Sequence, residues 1–358
     1  MKIDAIYHLS HIDLDGYSCQ LIISYTPYVI QSYNANYGAE VKSRLEEIIE
    51  HIKASNKHNT LILITDLNLT YDESRWLNNQ VNRLNEAGLA ISLTLLDHHG
   101  SGQESADKYE WYYLDTTKSA TKITYEYAKT NFEISLQEWM PQYVDIVNAV
   151  DLWKQEETFN FEFGKVLMRL IADTKELNRI TFGDDDRLYK FSLLQQAVKY
   201  ISYENAHIKL DNAIHKIKKD FFTIDTDNTL DNLATKYIVN LLGKQCAKMT
   251  IYYKGYKGFL SYGVGNTSII GNGFLTTYPD YDFIVDISYR GTMSFRADGK
   301  VSVAQIAKEW VKGGGHPNAA GGRLIGFKEQ YRYIKVKEQI EKLIANAESV
   351  AGDLAYNN

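Results

Sequence analysis

At 358 residues the chain is too long for one ordinary hydrophobic core and suits two domains. Its 44% hydrophobic and 23% charged residues are those of a soluble globular protein, and a net charge of -6 argues against coating long nucleic acid through an overall positive field. Only two cysteines, Cys19 and Cys246, exclude a disulfide scaffold or a thiolate zinc cluster and suit a reducing cytoplasm.

In chain order, Ile3 to Leu9 reads as a strand that runs into Ser10-His11-Ile12-Asp13-Leu14-Asp15-Gly16, with a helix from about Tyr17 to Tyr25. The N-terminus lacks an apolar leader, and no apolar run anywhere reaches the roughly 18 residues of a membrane span. His11, Asp13 and Asp15 occupy alternate positions, so an extended backbone would turn all three to one side. Tyr28 to Ser32 is a short strand. Gly38 to Ala54 is an amphipathic helix with Val41, Leu45, Ile48, Ile49 and Ile52 on one face. Thr60 to Thr65 is a continuous apolar strand ending in Asp66, and Tyr71 to Ala87 is a helix closed by Gly88. Leu89 to Leu96 is a further buried strand, the third to deliver ligands at its carboxyl end, here Asp97-His98-His99. This alternation predicts an α/β domain with a parallel sheet flanked by helices. It also places three acidic and histidine clusters on the carboxyl edge of the sheet, where ligands of such sheets bind.

Ser119 to Thr130 and Gln137 to Ala149 read as helices, and Asp151 follows the second as a fourth carboxylate, a helix-end cap or a ligand. Phe163 to Leu170 is helical, and Asp184-Asp185-Asp186 reads as a solvated loop and N-cap region rather than a metal site. One helix from about Leu188 to Lys219 would link two domains, giving residues 1–187, a helical linker 188–220, and 221–358. In the last segment, Cys246 to Tyr253 with Gly258 to Tyr262, and Asp282 to Ser288 with Thr292 to Ala297, read as hairpins. Asn266 to Tyr278 and Ser302 to Val311 read as helices. Gly313-Gly314-Gly315-His316-Pro317 then suggests a formed loop whose amides approach an anion. A final helix covers Lys328 to Ala345. The 27 tyrosines are read as packing residues rather than base-stacking platforms.

Like charges gathered on one sheet edge repel unless cations lie between them. His11, Asp13, Asp15, Asp66, His98 and Asp151 make about six ligands, mostly oxygen, suited to manganese or magnesium. Six ligands fit two ions sharing a bridge, with Asp66 the choice for that bridge, and a pair about 4 Å apart clamps an in-line phosphoryl displacement. His99 is left to hold a phosphate oxygen or to protonate the leaving group, and Asp97 to orient a neighbouring histidine. Arg296, with Gly313, Gly314, Gly315 and His316, is placed to grip a substrate phosphate.

His11-x-Asp13-x-Asp15-Gly16, Asp66, Asp97-His98-His99 and Asp151, in that order, resemble the motifs of the DHH phosphoesterase superfamily. Gly313-Gly314-Gly315-His316-Pro317-x-Ala319-Ala320-Gly321 is similar to the signature of its associated C-terminal domain. The resemblance implies a parallel-sheet catalytic domain, a smaller α/β C-terminal domain and an active-site cleft between them. It implies two Mn2+ ions (Mg2+ as the substitute) held by the six ligands above, His99 on the phosphate, and Arg296 and the glycine segment on substrate. His8 is the alternative to His11 as first-motif ligand. Within the superfamily the chain resembles the nano-RNases and the phosphodiesterases of linear dinucleotides such as pApA and pGpG. A phosphatase of 3′-phosphoadenosine 5′-phosphate and a non-catalytic nucleotide sensor are the alternatives. The expected partners are short RNA or linear dinucleotides, with a possible homodimer, no long nucleic acid and no membrane.

Overall fold

The computed structural model describes residues 3–157 and 160–356. It forms two compact units, Met1–Thr174 with Arg187–Ile217 and Lys175–Asp186 with Lys218–Asn358. The first unit begins β1 (Ala5–Ser10), α1 (Leu14–Ile23), β2 (Ile30–Asn34), α2 (Ala39–Ala54), β3 (Asn59–Thr65), α3 (Tyr71–Glu86) and β4 (Ala90–Asp97). It continues with α4 (Gln103–Lys108), β5 (Tyr112–Leu114), α5 (Ala120–Asn131), α6 (Met140–Asp151) and α7 (Phe161–Ala172). α8 (Gly183–Ala197) and α9 (Ala206–Phe222) follow, and the division between the units cuts through both.

The five strands form a wholly parallel sheet in the order β2-β1-β3-β4-β5. Strands buried on both faces need apolar side chains in both alternating sets. Tyr7, Leu9, Ile62, Ile64 and Leu95 pack one face against α2 and α3 through Leu45, Ile48, Leu77 and Val81. Ile6, Leu61, Leu63 and Leu96 pack the other against Ile22, Ile123 and Val144. The order reverses between β1 and β3, which opens a crevice at their carboxyl ends, the point where open α/β sheets take their ligands. α3 is started by a capping box, in which Thr70 Oγ1 accepts from the Glu73 amide and Glu73 accepts from that of Thr70.

The second unit runs α10 (Leu230–Lys244), α11 (Cys246–Met249), β6 (Thr250–Tyr253), β7 (Tyr256–Tyr262), α12 (Thr267–Thr277), β8 (Phe283–Ile287) and β9 (Thr292–Ala297). It ends with α13 (Val303–Val311), β10 (Gly314–His316), β11 (Ala319–Arg323) and α14 (Tyr333–Tyr356). Its six strands form one mixed sheet, β10-β11-β9-β8-β7-β6, parallel only between β7 and β8. Buried Phe259, Phe274, Phe283, Phe295 and Trp310 fill its core.

Several sequence expectations are corrected. The helix expected over 188–219 is broken, because Asn205 takes a left-handed backbone (φ 53°) and its carbonyl caps the new helix through the amides of Ile208 and Lys209. The three aspartates at 184–186 do mark a helix start, as the N-cap reading expects, but they are not a solvated loop. They form the first turn of α8, with Asp186 buried and Asp185 accepting from the Tyr237 hydroxyl. Residues 246–249 are helical rather than extended, α1 starts at Leu14, and β5 and α10 had not been read. Among the described residues, no helix is long and apolar enough to cross a membrane.

Candidate functional site

The first motif converges by a different route from strand alternation. β1 ends at Ser10, and Asp13 is the N-cap of α1, its Oδ1 accepting from the Gly16 amide at 3.0 Å. Asp13 keeps its other oxygen, 3.0 Å from His11 Nδ1. Asp15 lies in the first helical turn, buried, and its two oxygens accept from the amides of Ala120 (2.8 Å) and Thr121 (2.9 Å). Those amides open α5, so the carboxylate is held where a helix N-terminus favours negative charge. Gly16 is required for space rather than for its backbone freedom: a Cβ there would lie 2.4 Å from the carbonyl oxygen of His11.

Asp66 follows β3 in a left-handed conformation (φ 56°), a geometry that aspartate tolerates better than most residues. The turn aims its buried carboxylate both ways. Oδ2 lies 3.7 Å from His11 Nδ1, and Oδ1 lies 3.4 Å from His98 Nε2. His98 Nε2 is also 3.6 Å from Asp151 Oδ2 and 3.7 Å from Asp15 Oδ2. Asp151 is the last residue of α6 and reaches the cluster from outside the sheet. All six residues read as ligands therefore meet in the first unit. They fall into overlapping groups whose donor atoms lie within 4.8 Å of one another: His11, Asp13 and Asp66; Asp15, His98 and Asp151; and Asp66, His98 and His99.

His8 is not part of the cluster. Side chains alternate along β1, and its ring turns under the sheet edge, where Nε2 meets Thr65 Oγ1 at 2.9 Å. Burial drives its pKa down to about 3, so it is a neutral core histidine.

Asp97, fully buried, faces a different set of partners. It accepts from His99 Nδ1 at 2.8 Å and from the Tyr112 hydroxyl at 3.0 Å. In the neutral ring that bond fixes the Nδ1–H tautomer, with Nε2 facing the Tyr37 hydroxyl at 3.1 Å. Burial opposes charge on His99, but the hydrogen bond and charge of Asp97 outweigh it and raise its pKa.

Three observations fit the cluster to divalent cations. Among the described residues, Asp66 Oδ2 and Asp151 Oδ2 are buried without a hydrogen-bond partner, and His11 Nδ1 faces only the carboxylates of Asp13 and Asp66, a costly state for buried acceptors unless a ligand meets them. The donors are four carboxylates and two imidazoles, the hard set that suits Mg2+ or Mn2+. The charges also conflict without a cation. Burial, with Asp15 and Asp13 alongside, pushes Asp66 well above the carboxylate range and Asp151 up to about 8. Cation binding must displace those protons. Affinity for a cation such as Mn2+ should therefore weaken as pH falls from 8 toward 6, with protons released on binding. Calorimetry in two buffers of different ionisation enthalpy reads both, and an affinity flat with pH would contradict the repulsion.

The remaining predicted residues lie in the second unit. Arg296 on β9 pairs with Ala319 on β11, which pairs with His316 on β10, so the three stand in one row across the sheet. Arg296 Nη2 donates to Ser268 Oγ at 2.6 Å, at the first turn of α12. The glycine segment is not an open loop but a hairpin. A Cβ on Gly313 would lie 2.3 Å from Gly321 O, and one on Gly315 (φ 149°) would lie 2.5 Å from Ala319 O, whereas Gly314 has open space. Two of the glycines thus allow two backbones to close on each other. β10 is the sheet edge, so among the described residues its outward amides have no strand partner.

Sequence reading passed over Tyr37 and Tyr112, both bonded into the histidine network. The available signal for Tyr37 was its place in Asn36-Tyr37-Gly38, on the same carboxyl edge as the motifs. Tyr112 carried none, since its strand was not legible.

Among known proteins, the chain is 42% identical over 346 residues to a Helicobacter pylori protein named 3′,5′-cyclic-nucleotide phosphodiesterase, covering 96% of this chain and 99% of the other. Its fold matches a crystal structure of an uncharacterized protein from Helicobacter pylori at TM-score 0.90 and 41% identity, covering 96% of this chain and 100% of that one. No protein-family model matches the chain.

Proposed function

We propose, on the premise that the chain belongs to the family of the Helicobacter pylori 3′,5′-cyclic-nucleotide phosphodiesterase, that it hydrolyses phosphodiester bonds of small nucleotides at the cluster of the first unit. The observation that carries this is Asp66, whose two oxygens face two different groups of ligands. We assign two Mn2+ ions to them, with Mg2+ as the substitute. His11, Asp13 and Asp66 would hold one, and Asp66, Asp15, His98 and Asp151 the other. Bound there, the cations supply positive charge against the developing charge of the phosphoryl group.

The chain's own groups do the rest. Protonated on both nitrogens, a form its raised pKa favours, His99 would bind a phosphoryl oxygen through Nε2 or give that proton to the leaving oxygen. Asp97 keeps that ring in one tautomer, and Tyr112 keeps Asp97 in place. The amides of Ala120 and Thr121 hold Asp15 without a cation's help. Arg296 and His316, with the Gly313–Gly315 hairpin, are the candidates for gripping a phosphate of the substrate.

The motifs support linear dinucleotides and very short oligoribonucleotides as substrates. The 42% identity to a protein of that name favours a second reading, 3′,5′-cyclic nucleotides. A time course with Mn2+, and again with chelator, on pApA, pGpG, RNA of graded length and cyclic AMP decides between them. Chelator-sensitive mononucleotide release, fastest from the dinucleotides, supports the first, and ring opening alone supports the second. Phosphate released only from 3′-phosphoadenosine 5′-phosphate would make the protein a phosphatase. Nucleotide binding without turnover of any of these would make it a sensor and overturn the assignment.

A further inference from the structure

Tyr37 stands in the loop between β2 and α2, and its loop is built rather than loose. The Asn36 amide donates to Glu40 Oε2 at 2.9 Å, the Tyr37 amide donates to Asn36 Oδ1 at 2.9 Å, and Glu40 is itself buried beside Arg44. The side chain stays 42% exposed, so it is not placed there by core packing. Its ring lies against His11, with centroids 4.7 Å apart and planes at 43°, and meets the His99 ring edge-on at 5.7 Å. Its hydroxyl is 3.1 Å from His99 Nε2.

One side chain thus touches two histidines with different tasks. Because Nδ1 of His99 donates to Asp97, Nε2 of the neutral ring is an acceptor and the Tyr37 hydroxyl donates to it. The His99 ring is then held at both nitrogens, in a chain running Tyr112, Asp97, His99, Tyr37. On the other side, the phenol ring covers His11, whose Nδ1 must face Asp13 and Asp66 for the first group of ligands to form.

We propose that Tyr37 is a positioning residue for this site, its hydroxyl setting the His99 ring and its aromatic face setting that of His11. The proposal deepens the functional reading above and rests on it. Nothing in the first-motif or Asp-His-His pattern assigns this residue, and a merely exposed tyrosine would touch neither ring.

Two variants separate the two contacts. Tyr37→Phe keeps the ring and loses the hydroxyl. It should lower kcat by about ten- to a hundredfold, the range for removing a residue that orients a catalytic ligand. KM and cation affinity should stay near wild type. Tyr37→Ala loses both contacts and should add a weakening of cation binding, read by competition with a chromophoric chelator. Nitrogen-15 histidine spectra of the metal-free protein read the contact directly, since Tyr37→Phe should shift the His99 Nε2 resonance while leaving Nδ1 bonded to Asp97. Wild-type kcat in the phenylalanine variant would overturn the proposal. So would a raised kcat or a lowered KM, which would mean that Tyr37 occupies the substrate's place. A wild-type protein inert on every nucleotide would instead remove the functional reading. The spectra would then decide Tyr37 alone, and an unmoved Nε2 resonance would overturn its positioning role.

Discussion

Asp66→Asn should lower turnover by roughly a thousandfold or more, at least the loss seen when one preorganised charge stabiliser is removed from an active site. The substitution is close in shape and keeps one carbonyl oxygen. Asparagine also tolerates the left-handed backbone at this position (φ 56°), so the turn after β3 should survive. What is lost is the second anionic oxygen, and with it the sharing of one carboxylate between the His11 group and the His98 group. Bound cation per protein should fall in parallel. Stability should move the opposite way in the metal-free protein. The folded-state pKa of Asp66 lies well above its ordinary 3.8, from burial and the charges of Asp15 and Asp13. Above that ordinary value the unfolded chain has already given up the proton that the folded chain retains, so the aspartate costs stability as pH rises toward neutrality. Asparagine removes the penalty. With chelator present at neutral pH the variant should therefore melt higher than wild type while hydrolysing far less. Normal turnover would sink the shared-carboxylate reading, and a lower melting temperature in chelator would sink the charge argument.

The parts legible in the sequence were those written locally. β1 and β3 are buried on both faces, and β4 is over Leu95–Asp97, so their apolar runs stand out, and a carboxylate at the end of such a run is conspicuous. His11, Asp66, His98 and Asp151 could be nominated together for that reason. The geometry that joins them was not local. Asp15 is held by amides more than a hundred residues later, and Asp97 by a tyrosine on a three-residue strand too short to read. The alternation of His11, Asp13 and Asp15 suggested an extended strand, but Asp13 spends one oxygen capping α1, and the convergence comes from that turn. The same limit applies to the glycine segment: the sequence suggests a formed loop that cradles an anion, whereas the close approach of Gly313 to Gly321 exists only once the hairpin has formed. Tyr37 was hidden among many tyrosines, since composition cannot tell a packed ring from one standing on a histidine.

Gly16→Ala tests whether that turn is as rigid as the site requires. The added Cβ would lie 2.4 Å from the carbonyl oxygen of His11, 2.7 Å from its carbonyl carbon and 2.9 Å from its Cα. All three are backbone atoms, so no side chain can swing away to make room. The backbone is also pinned on both sides, because the Gly16 amide donates to Asp13 Oδ1 and its carbonyl accepts from buried Ser10 Oγ. Relief can come only by moving His11 or by lifting the first turn of α1, and either displaces a ligand. Overpacking of a fixed site costs typically up to about 3 kcal/mol, and the upper end is expected here in urea unfolding with chelator present. The more telling result is in the cation. If His11 is pushed away, Gly16→Ala should bind the first equivalent near normally, through Asp15, His98 and Asp151, and the second much more weakly. Gly314→Ala, where nothing lies within 4 Å of the new methyl group, is the control for alanine itself and should leave both stability and cation binding unchanged. Equal loss of both equivalents in Gly16→Ala would mean that the two groups of ligands do not fill separately, and unchanged binding would mean that His11 is not needed to hold a cation.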